Sequence, residues 1–368
     1  MSRSFVTVDL NRLRQNFRLI SDRLTGGASL MVMVKGNAYG HGLVPVALAL
    51  SDAQAFGVAT LDEAIALRQA GILAQIVVMS GFVSDDELAL LIKYKLATVV
   101  HAQYQVALLV QASVSCPIPV WLKYDSGMNR LGLNEQEFCW AYQQLNASSS
   151  IAKPLVLMTH FASADDVDSS FTQQQIKKFE RVTMGLANPK SLCNSAGVVA
   201  YQYAQQNWVR MGGLLYGISP SPNLDPYQMG LKPVMSFYSV LLVVKWVEQG
   251  GYVGYGNLWR CEKRTRIGIV SAGYADGYPR QVGQAAQVLV NGIHCRVLGM
   301  VSMDFLAIDV TNIQAEVGDK VVLWGDGLPV EQLASDSSTI AYELTTQVAQ
   351  RVSRKYIGVY IKHKLRSV

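Results

Sequence analysis

The stretch Leu30-Met31-Val32-Met33-Val34-Lys35-Gly36-Asn37-Ala38-Tyr39-Gly40-His41-Gly42 is a short apolar run that ends at a lysine and continues into a glycine-rich turn. It is the first of eight apolar runs, and helical segments lie between many of them. The runs span residues 30–35, 56–60, 76–80, 97–100, 120–125, 155–161, 191–195 and 208–216. This rhythm indicates repeated βα units, and eight strands predict a (β/α)8 TIM-type barrel. A doubly wound parallel sheet is the alternative that the number of strands does not exclude.

A proline-rich stretch, residues 219–226, interrupts this rhythm and indicates a domain boundary. We therefore predict a barrel domain over residues 1–230 and a second domain over residues 231–368. The second domain contains β-type runs at 234–247, 266–272, 287–290, 294–297, 305–310 and 320–324, with a hairpin signal at Asn291-Gly292. We expect it to be mainly β and to end in a helix from about Ile340 to Arg351.

The composition favours a globular protein with a small-molecule partner. Half of the 368 residues are hydrophobic and 16% are charged, which excludes a disordered chain. The net charge is +5 without a basic run, so neither nucleic acid nor a membrane surface is expected as a partner. The N-terminus shows no apolar run of the secretory type, and the longest apolar stretch, 234–244, is too short to span a bilayer. These features predict a cytoplasmic protein.

The five cysteines are odd in number and form no CxxC pair, so the sequence supports neither a disulfide framework nor a zinc site.

Reactive side chains follow several of the predicted barrel strands. Lys35 ends the first run, His160 lies at the end of the sixth, and Arg210 lies in the last. Barrel active sites lie at the carboxyl ends of the strands, so these side chains are expected at one mouth of the barrel. Singly, each has a common structural explanation, such as a lysine whose stem packs on apolar surface or a hydrogen-bonded histidine.

The last two strand ends add small and hydroxyl residues. Asn194 and Ser195 close the seventh run, and Gly212 and Gly213 follow Arg210. Backbone amides and a hydroxyl at these two strand ends commonly hold phosphate in barrels. A lysine together with a phosphate cradle predicts pyridoxal phosphate held as a Schiff base.

The motifs of the chain resemble those of the alanine racemase family in both predicted domains and in the same order. Residues 34–42 resemble its pyridoxal-phosphate signature, with Gly36 where alanine is commoner. The resemblance continues through KYDSGMNRLG (123–132), THFASADD (159–166), NSA (194–196), RMGGLLYG (210–217), GYADGYPR (273–280) and SMD (302–304). It covers essentially the whole chain.

The resemblance implies that Lys35 binds the cofactor and acts as one catalytic base, while Tyr274 acts as the other base from the opposite face. It implies that Arg130 binds the cofactor phenolic oxygen and the substrate carboxylate. Lys123 stands at the position that is carbamylated in many members. Arg210 would face the pyridine nitrogen, and with His160 it would stabilise the Tyr274 phenolate.

The remaining contacts are also implied by the resemblance. The residues expected around the phosphate and cofactor are Tyr39, Asn194, Ser195, Gly212, Gly213 and Tyr356. The C-terminal tyrosine that contacts the phosphate in many members aligns with Gln350. Met303 and Tyr255 would line the substrate site from the second domain.

The implied function is the interconversion of L- and D-alanine, for peptidoglycan synthesis or alanine catabolism. The resemblance also implies a homodimer in which the second domain of one subunit completes the active site of its partner. The alternatives are a broad-specificity or serine racemase, or a decarboxylase, of the same fold. A non-catalytic pyridoxal-phosphate protein is a further alternative, but it would need neither the second domain nor an opposed base.

Overall fold

Eight parallel strands form the N-terminal barrel in the computed structural model, which describes residues 3–221 and 226–358. A first strand, β1 (Phe5–Asp9), and a first helix, α1 (Leu10–Ser21), precede it. The barrel strands are β2 (Ser29–Met33), β3 (Ala55–Val58), β4 (Gln75–Val78), β5 (Ala97–Val100), β6 (Val120–Lys123), β7 (Val156–Met158), β8 (Lys190–Ser191) and β9 (Trp208–Met211). Each of the eight apolar runs overlaps one of these strands, so the predicted barrel is confirmed.

The barrel is nearly closed. Strand β9 pairs with β2, and neighbouring strands pair in sequence order from β2 to β8. Between β8 and β9 the backbone N–H of Arg210 donates to the carbonyl of Cys193 at 3.0 Å. The last strand is therefore held on both sides, and residue 210 is fixed at the barrel mouth.

Helices connect the strands and cover the outside of the barrel. They are α2 (Lys35–Tyr39, a left-handed turn), α3 (Leu43–Ala49), α4 (Leu61–Gln69), α5 (Asp85–Lys93), α6 (Gln103–Gln111), α7 (Glu135–Ala147), α8 (Phe171–Val182) and α9 (Ser195–Ala200). Thr60 and Glu63 form a capping box at the start of α4, as their spacing predicts. In both described stretches every helix is too short or too polar to cross a membrane.

Both faces of the barrel strands are buried, which explains why the sequence of each strand is a continuous apolar run. Alternate residues fill the interior, where the buried cluster consists of Met31, Met33, Ala55, Val77, Ala97, Val99, Trp121 and Met158. Leu30, Val32 and Val34 belong instead to the main core, with helix residues such as Leu67 and Leu91. Gly57 leaves room for the interior methionines, because a Cβ there would lie 2.5 Å from Sδ of Met33.

The C-terminal region is mainly β and forms a second closed sheet. Its strands are β10 (Met235–Val247), β11 (Tyr252–Val253), β12 (Trp259–Arg260), β13 (Thr265–Val270), β14 (Gln287–Val290), β15 (Ile293–Leu298), β16 (Leu306–Asp309), β17 (Lys320–Trp324) and β18 (Ser353–Ile357). The 13-residue strand β10 pairs with β17 near its start and with β13 near its end. Strands β10, β13, β16, β15, β14 and β17 thereby close into a ring.

Two features of this region differ from the sequence-based expectation. The closing helix predicted over 340–351 is shorter: α10 (Val330–Asp336) and α11 (Ala341–Thr346) are followed by β18. Strand β1 pairs antiparallel with β10 and parallel with β18, so the start of the chain is hydrogen bonded to the C-terminal sheet. The division at residues 230 and 231 stays a prediction, and four residues of the proline-rich stretch, 222–225, lie outside the described residues.

Candidate active site

Lys35 begins a turn of left-handed backbone at the carboxyl end of β2. Gly36, Asn37, Ala38 and Tyr39 have φ between 52° and 62°, and Gly40 has φ 82°. Left-handed helical backbone costs an L-residue about 1–2 kcal/mol, so the surroundings must stabilise Asn37, Ala38 and Tyr39 in this conformation.

Side chains from other elements hold this turn. Glu63 accepts the Asn37 backbone N–H at 3.0 Å, and the Asn37 side-chain oxygen accepts the Leu43 N–H at 2.8 Å. At the far end, Nε of Arg354 donates to the Gly40 carbonyl at 2.9 Å. Contacts from α4 and β18 thus stabilise a strained turn that presents Lys35 at the barrel mouth.

Two lysines at this mouth have depressed pKa values. Partial removal from water and the positive charge of Arg130 lower the pKa of Lys35, although Glu63 opposes the shift. Burial, followed by the charges of Arg210 and Arg130, lowers the pKa of Lys123 to about 8. A neutral amine is the nucleophilic form, so the site increases the reactive fraction of both lysines.

Arg210 is 3% exposed and lies under the mouth between the last strands. Its Nη1 donates to the carbonyl and hydroxyl of Ser191 at 3.0 and 2.6 Å, and its Nη2 donates to the carbonyls of Thr159 and Leu192 at 2.7 and 3.0 Å. Within residues 3–221 and 226–358, no hydrogen bond involves its Nε. Burial lowers the pKa of Arg210 to about 10, which leaves it charged at neutral pH.

His160 lies next to this guanidinium. Its Nδ1 accepts a hydrogen bond from Nη2 of Arg210 at 3.2 Å, because a guanidinium can only donate. Burial, and then the positive charge of Arg210, hold the pKa of His160 well below its usual value. The ring is therefore neutral and carries its proton on Nε2.

A cradle of backbone amides and hydroxyls lies at the ends of β8 and β9. The Ser195 hydroxyl accepts the Gly212 N–H at 3.0 Å, and Asn194 caps α9 by accepting the Gly197 N–H at 2.9 Å. A Cβ on Gly212 would lie 2.3 Å from the Tyr39 hydroxyl. Glycine at 212 therefore allows that phenol to approach the backbone.

Tyr342, on α11, is a member of this cradle that the sequence reasoning missed. A Cβ on Gly213 would lie 2.4 Å from its hydroxyl, and its ring meets Tyr39 edge-on with centroids 5.6 Å apart. Burial raises the pKa of Tyr39 to about 12 and also raises that of Tyr342, so both phenols keep their protons. No local sequence pattern marks Tyr342, because only the docking of α11 brings it to Gly213.

The structure places the other C-terminal candidates elsewhere. Tyr356, on β18, has its hydroxyl against Gly42, where a Cβ would lie 2.0 Å from it. Gln350, the residue that the sequence aligned with a phosphate-binding tyrosine, is in the exposed turn between α11 and β18. The tyrosine beside Gly213 is Tyr342.

Tyr274, Met303 and Tyr255 lie together on the surface of the C-terminal region. The backbone N–H of Tyr274 donates to the Ser302 carbonyl at 3.1 Å, and the Ala275 N–H donates to that of Met303 at 3.0 Å. A Cβ on Gly254, just before Tyr255, would lie 3.5 Å from the Met300 carbonyl oxygen of the same loop.

These three side chains are exposed, by 69% for Tyr255, 53% for Met303 and 39% for Tyr274. In the described part of the chain, no hydrogen bond or ion pair joins them to the barrel mouth. The candidate residues therefore form two groups, one at the mouth and one on the C-terminal surface.

Comparison with known proteins assigns this architecture to a family. The model of the alanine racemase N-terminal domain matches residues 8–220, and that of the C-terminal domain matches residues 234–356. The chain is 45% identical to an alanine racemase of Coxiella burnetii (strain Dugway 5J108-111), over 96% of this chain and 98% of the relative.

Solved structures support the same family assignment. The chain is similar to the crystal structure of the biosynthetic alanine racemase from Pseudomonas aeruginosa, with a TM-score of 0.94 and 38% identity over 97% of this chain and 100% of that one. It is also similar to an alanine racemase from Bartonella henselae with covalently bound pyridoxal phosphate, with a TM-score of 0.86 and 27% identity over 97% and 100% of the two chains.

The chain belongs to the alanine racemase family, whose members are pyridoxal-phosphate-dependent enzymes. Its activity is accordingly the interconversion of L- and D-alanine.

Proposed function

We propose that this chain binds pyridoxal phosphate covalently through Lys35 and racemises alanine by moving protons between Lys35 and a tyrosine on the opposite face. The observation that supports it best is the arrangement of the mouth. The amine of depressed pKa on the left-handed turn lies in a site that also contains a buried arginine and a cradle of amides and phenols.

The cradle residues fit a phosphate. The first amides of α9 and of the short turn at Gly213 lack intrahelical acceptors, and such amides bind anions. The Ser195, Tyr39 and Tyr342 hydroxyls add neutral donors. We propose these groups as the phosphate-binding set, with Tyr342 in the place that the sequence assigned to Tyr356.

Arg210 fits the ring end of the cofactor. When bound, pyridoxal phosphate supplies a conjugated ring that takes up the negative charge left by the departing α-proton. The unused Nε–H of Arg210 would donate to the ring nitrogen and, since arginine stays charged, would keep that nitrogen unprotonated. Arg210 would thereby make the ring a weaker electron acceptor and favour immediate return of the proton to carbon. Arg130 would hold the phenolic oxygen and the substrate carboxylate.

The second proton-transfer group must reach the substrate from the face opposite Lys35. The family resemblance implies Tyr274 for this role. We propose Tyr255 as a second candidate, because it is more exposed than Tyr274 and follows a glycine beside the same loop, residues 300–303. A tyrosine is a poor base at its ordinary pKa of about 10. The Nε2–H of His160, fixed by Arg210, can donate to a phenolate and so stabilise it.

Because these tyrosines are surface residues of the C-terminal region, we propose that they enter the barrel mouth of a second copy of the chain. Two-fold symmetry would then create two identical composite sites, each lined by Met303 of the opposite subunit. A homodimer is thus part of the proposed function.

Lys123 is proposed to carry a carbamate. Its amine, with a pKa of about 8, is partly neutral near pH 8 and can attack carbon dioxide, forming one N–C bond and releasing one proton. The resulting anion would lie near Arg130 and Arg210, whose charges already act on Lys123. It would then orient Arg130 as a charged hydrogen-bond acceptor.

D-alanine made in this way would serve peptidoglycan synthesis or arise in alanine catabolism, in the cytoplasm. The test of the function is an assay of L-alanine, L-serine and L-lysine for conversion to the D-forms, together with borohydride reduction and peptide mapping. We expect L-alanine to be the best substrate and the reduced cofactor to be attached to Lys35. Preference for serine or lysine would indicate a serine or broad-specificity racemase. A label on another lysine would refute Lys35 as the cofactor-binding residue.

A further inference from the structure

His41 is a fully buried histidine just beyond the left-handed turn, and the proposed reaction does not use it. Its Nδ1 lies 3.0 Å from the Ala38 carbonyl and 2.9 Å from the Tyr39 carbonyl. Carbonyl oxygens only accept, so Nδ1 carries the proton. Its Nε2 is then an unprotonated acceptor, and this atom is buried without a hydrogen-bond partner among the described residues.

The surroundings keep the imidazole neutral and immobile. The ring stacks on Tyr216 with centroids 4.4 Å apart, and the Tyr216 hydroxyl donates to the Met33 carbonyl at 2.9 Å. Burial lowers the pKa of His41 to about 4 against the opposing effect of the two carbonyls, and Arg354 lowers it further. The pattern of one donor and one acceptor nitrogen therefore persists at physiological pH.

A small cavity adjoins this ring, between the barrel and the C-terminal region. Its volume is about 10 Å³, and His41, Tyr216, Thr345 and Trp324 are among the residues that line it. The indole N–H of Trp324 is fully buried and, like Nε2 of His41, has no hydrogen-bond partner within residues 3–221 and 226–358. A polar cavity of about this size holds one water molecule. Such a water can accept from the indole and donate to the imidazole.

We propose that His41 is a positioning residue for Lys35. As the Nδ1–H tautomer it holds the carbonyls of Ala38 and Tyr39 in their left-handed arrangement, and one bound water links its Nε2 to Trp324 on β17. The link to catalysis rests on the proposed role of Lys35, whereas the tautomer and the water site do not.

Selective ¹⁵N-histidine labelling tests the tautomer in the protein without and with added pyridoxal phosphate. The His41 signals are assigned by their loss in His41→Asn. We expect the pattern of an Nδ1–H tautomer that does not titrate between pH 5.5 and 9. An Nε2–H tautomer would overturn the proposal.

Substitutions test the positioning role. An asparagine amide nitrogen can lie near the position of Nδ1, whereas a glutamine one lies near that of Nε2. His41→Asn should therefore keep the affinity of the apoprotein for pyridoxal phosphate, while His41→Gln should weaken it about tenfold, the effect of losing roughly one buried hydrogen bond. Equal affinities in the two variants would refute the role of Nδ1.

The water link is tested by a double-mutant cycle on thermal unfolding. Trp324→Phe removes the indole donor and keeps an aromatic ring packed on Phe237, which lies 4.7 Å away. If one water joins the two residues, this substitution should destabilise the wild type more than it destabilises His41→Asn. If the losses of stability from the two substitutions were additive, the proposed water link would be refuted. If the wild-type apoprotein bound no pyridoxal phosphate at Lys35, the proposed function would fail, but the tautomer and the cycle would still decide the role of His41 in the fold.

Discussion

Arg210 donates to Nδ1 of His160 at 3.2 Å, and this one contact determines which nitrogen of the histidine carries the proton. Since the guanidinium has no acceptor, the neutral ring must carry its proton on Nε2. An incoming phenolate would find a hydrogen-bond donor there and no competing positive charge on the ring itself.

The two surface tyrosines can be distinguished by isotope exchange. By resemblance to the family, Lys35 takes the proton from D-alanine and the tyrosine takes it from L-alanine. Phenylalanine at the position of the true base should reduce the rate of α-deuterium exchange from L-alanine more than that from D-alanine, because each base serves its own face. Tyr255→Phe and Tyr274→Phe are each other's matched control in single-turnover measurements. Equal losses in both directions for both variants would contradict separate roles for the two faces.

Arg210→Glu should change what happens after proton removal. A carboxylate would favour a protonated ring nitrogen and a deeper electron sink, so racemisation should slow while transamination to pyruvate becomes detectable. Arg210→Lys retains the positive charge and serves as the control. A variant that keeps its cofactor and forms no pyruvate would show that Arg210 does not tune the ring nitrogen.

Carbamylation of Lys123 should increase with pH. Below its pKa of about 8 the amine is protonated and cannot attack carbon dioxide, so occupancy should rise as pH increases through 8. The measurement is ¹³C NMR of the protein in labelled bicarbonate between pH 6.5 and 9, with Lys123→Gln as the blank. If the wild type gives no carbamate signal beyond the blank at pH 9, Lys123 is not modified.

Alanine at two glycines of the Lys35 turn should have unequal effects. Both have positive φ, but among the described residues a Cβ at Gly36 would meet only Thr346 Cγ2 at 3.6 Å, whereas one at Gly40 would lie 1.8 Å from the Thr345 carbonyl oxygen. Gly36→Ala should cost about 1 kcal/mol of unfolding free energy, from backbone strain alone. Gly40→Ala should cost more than twice as much, because α11 must move. Denaturant titrations giving equal losses would mean that the docking of α11 is not tight.

Complementation tests the shared site. Lys35→Ala chains are co-expressed with chains that carry Tyr274→Phe or Tyr255→Phe, whichever the isotope experiment identifies as the base. The mixed dimers should have one site with both lesions and one site with none. Random pairing should then restore about a quarter of the wild-type activity. Activity no higher than that of the separate variants, with mixed dimers verified by mass, would place both residues in one chain.

The sequence predicts the barrel well because its strands are buried on both faces and its βα connections are local. Lys35, His160, Ser195 and Arg210 could be anticipated because parallel strands end at one mouth. The left-handed backbone of Ala38 and Tyr39 could not, since non-glycine residues adopt it only under tertiary constraint. Tyr342 was missed for a related reason, because its contact with Gly213 depends on packing between segments far apart in the chain.

The pairing of β1 has a consequence for biosynthesis. Phe5 is opposite Tyr238 on one side and Ser353 on the other, so β1 waits for β10, which is translated after the whole barrel, and for β18, which is translated later still. All eight barrel strands can assemble in that interval, while both edges of β1 remain unpaired. Closing such a long loop is slow, and an unpaired strand edge invites association with other chains. A nascent chain arrested before β10 should therefore contain a formed barrel and a free N-terminal segment that proteases cleave first.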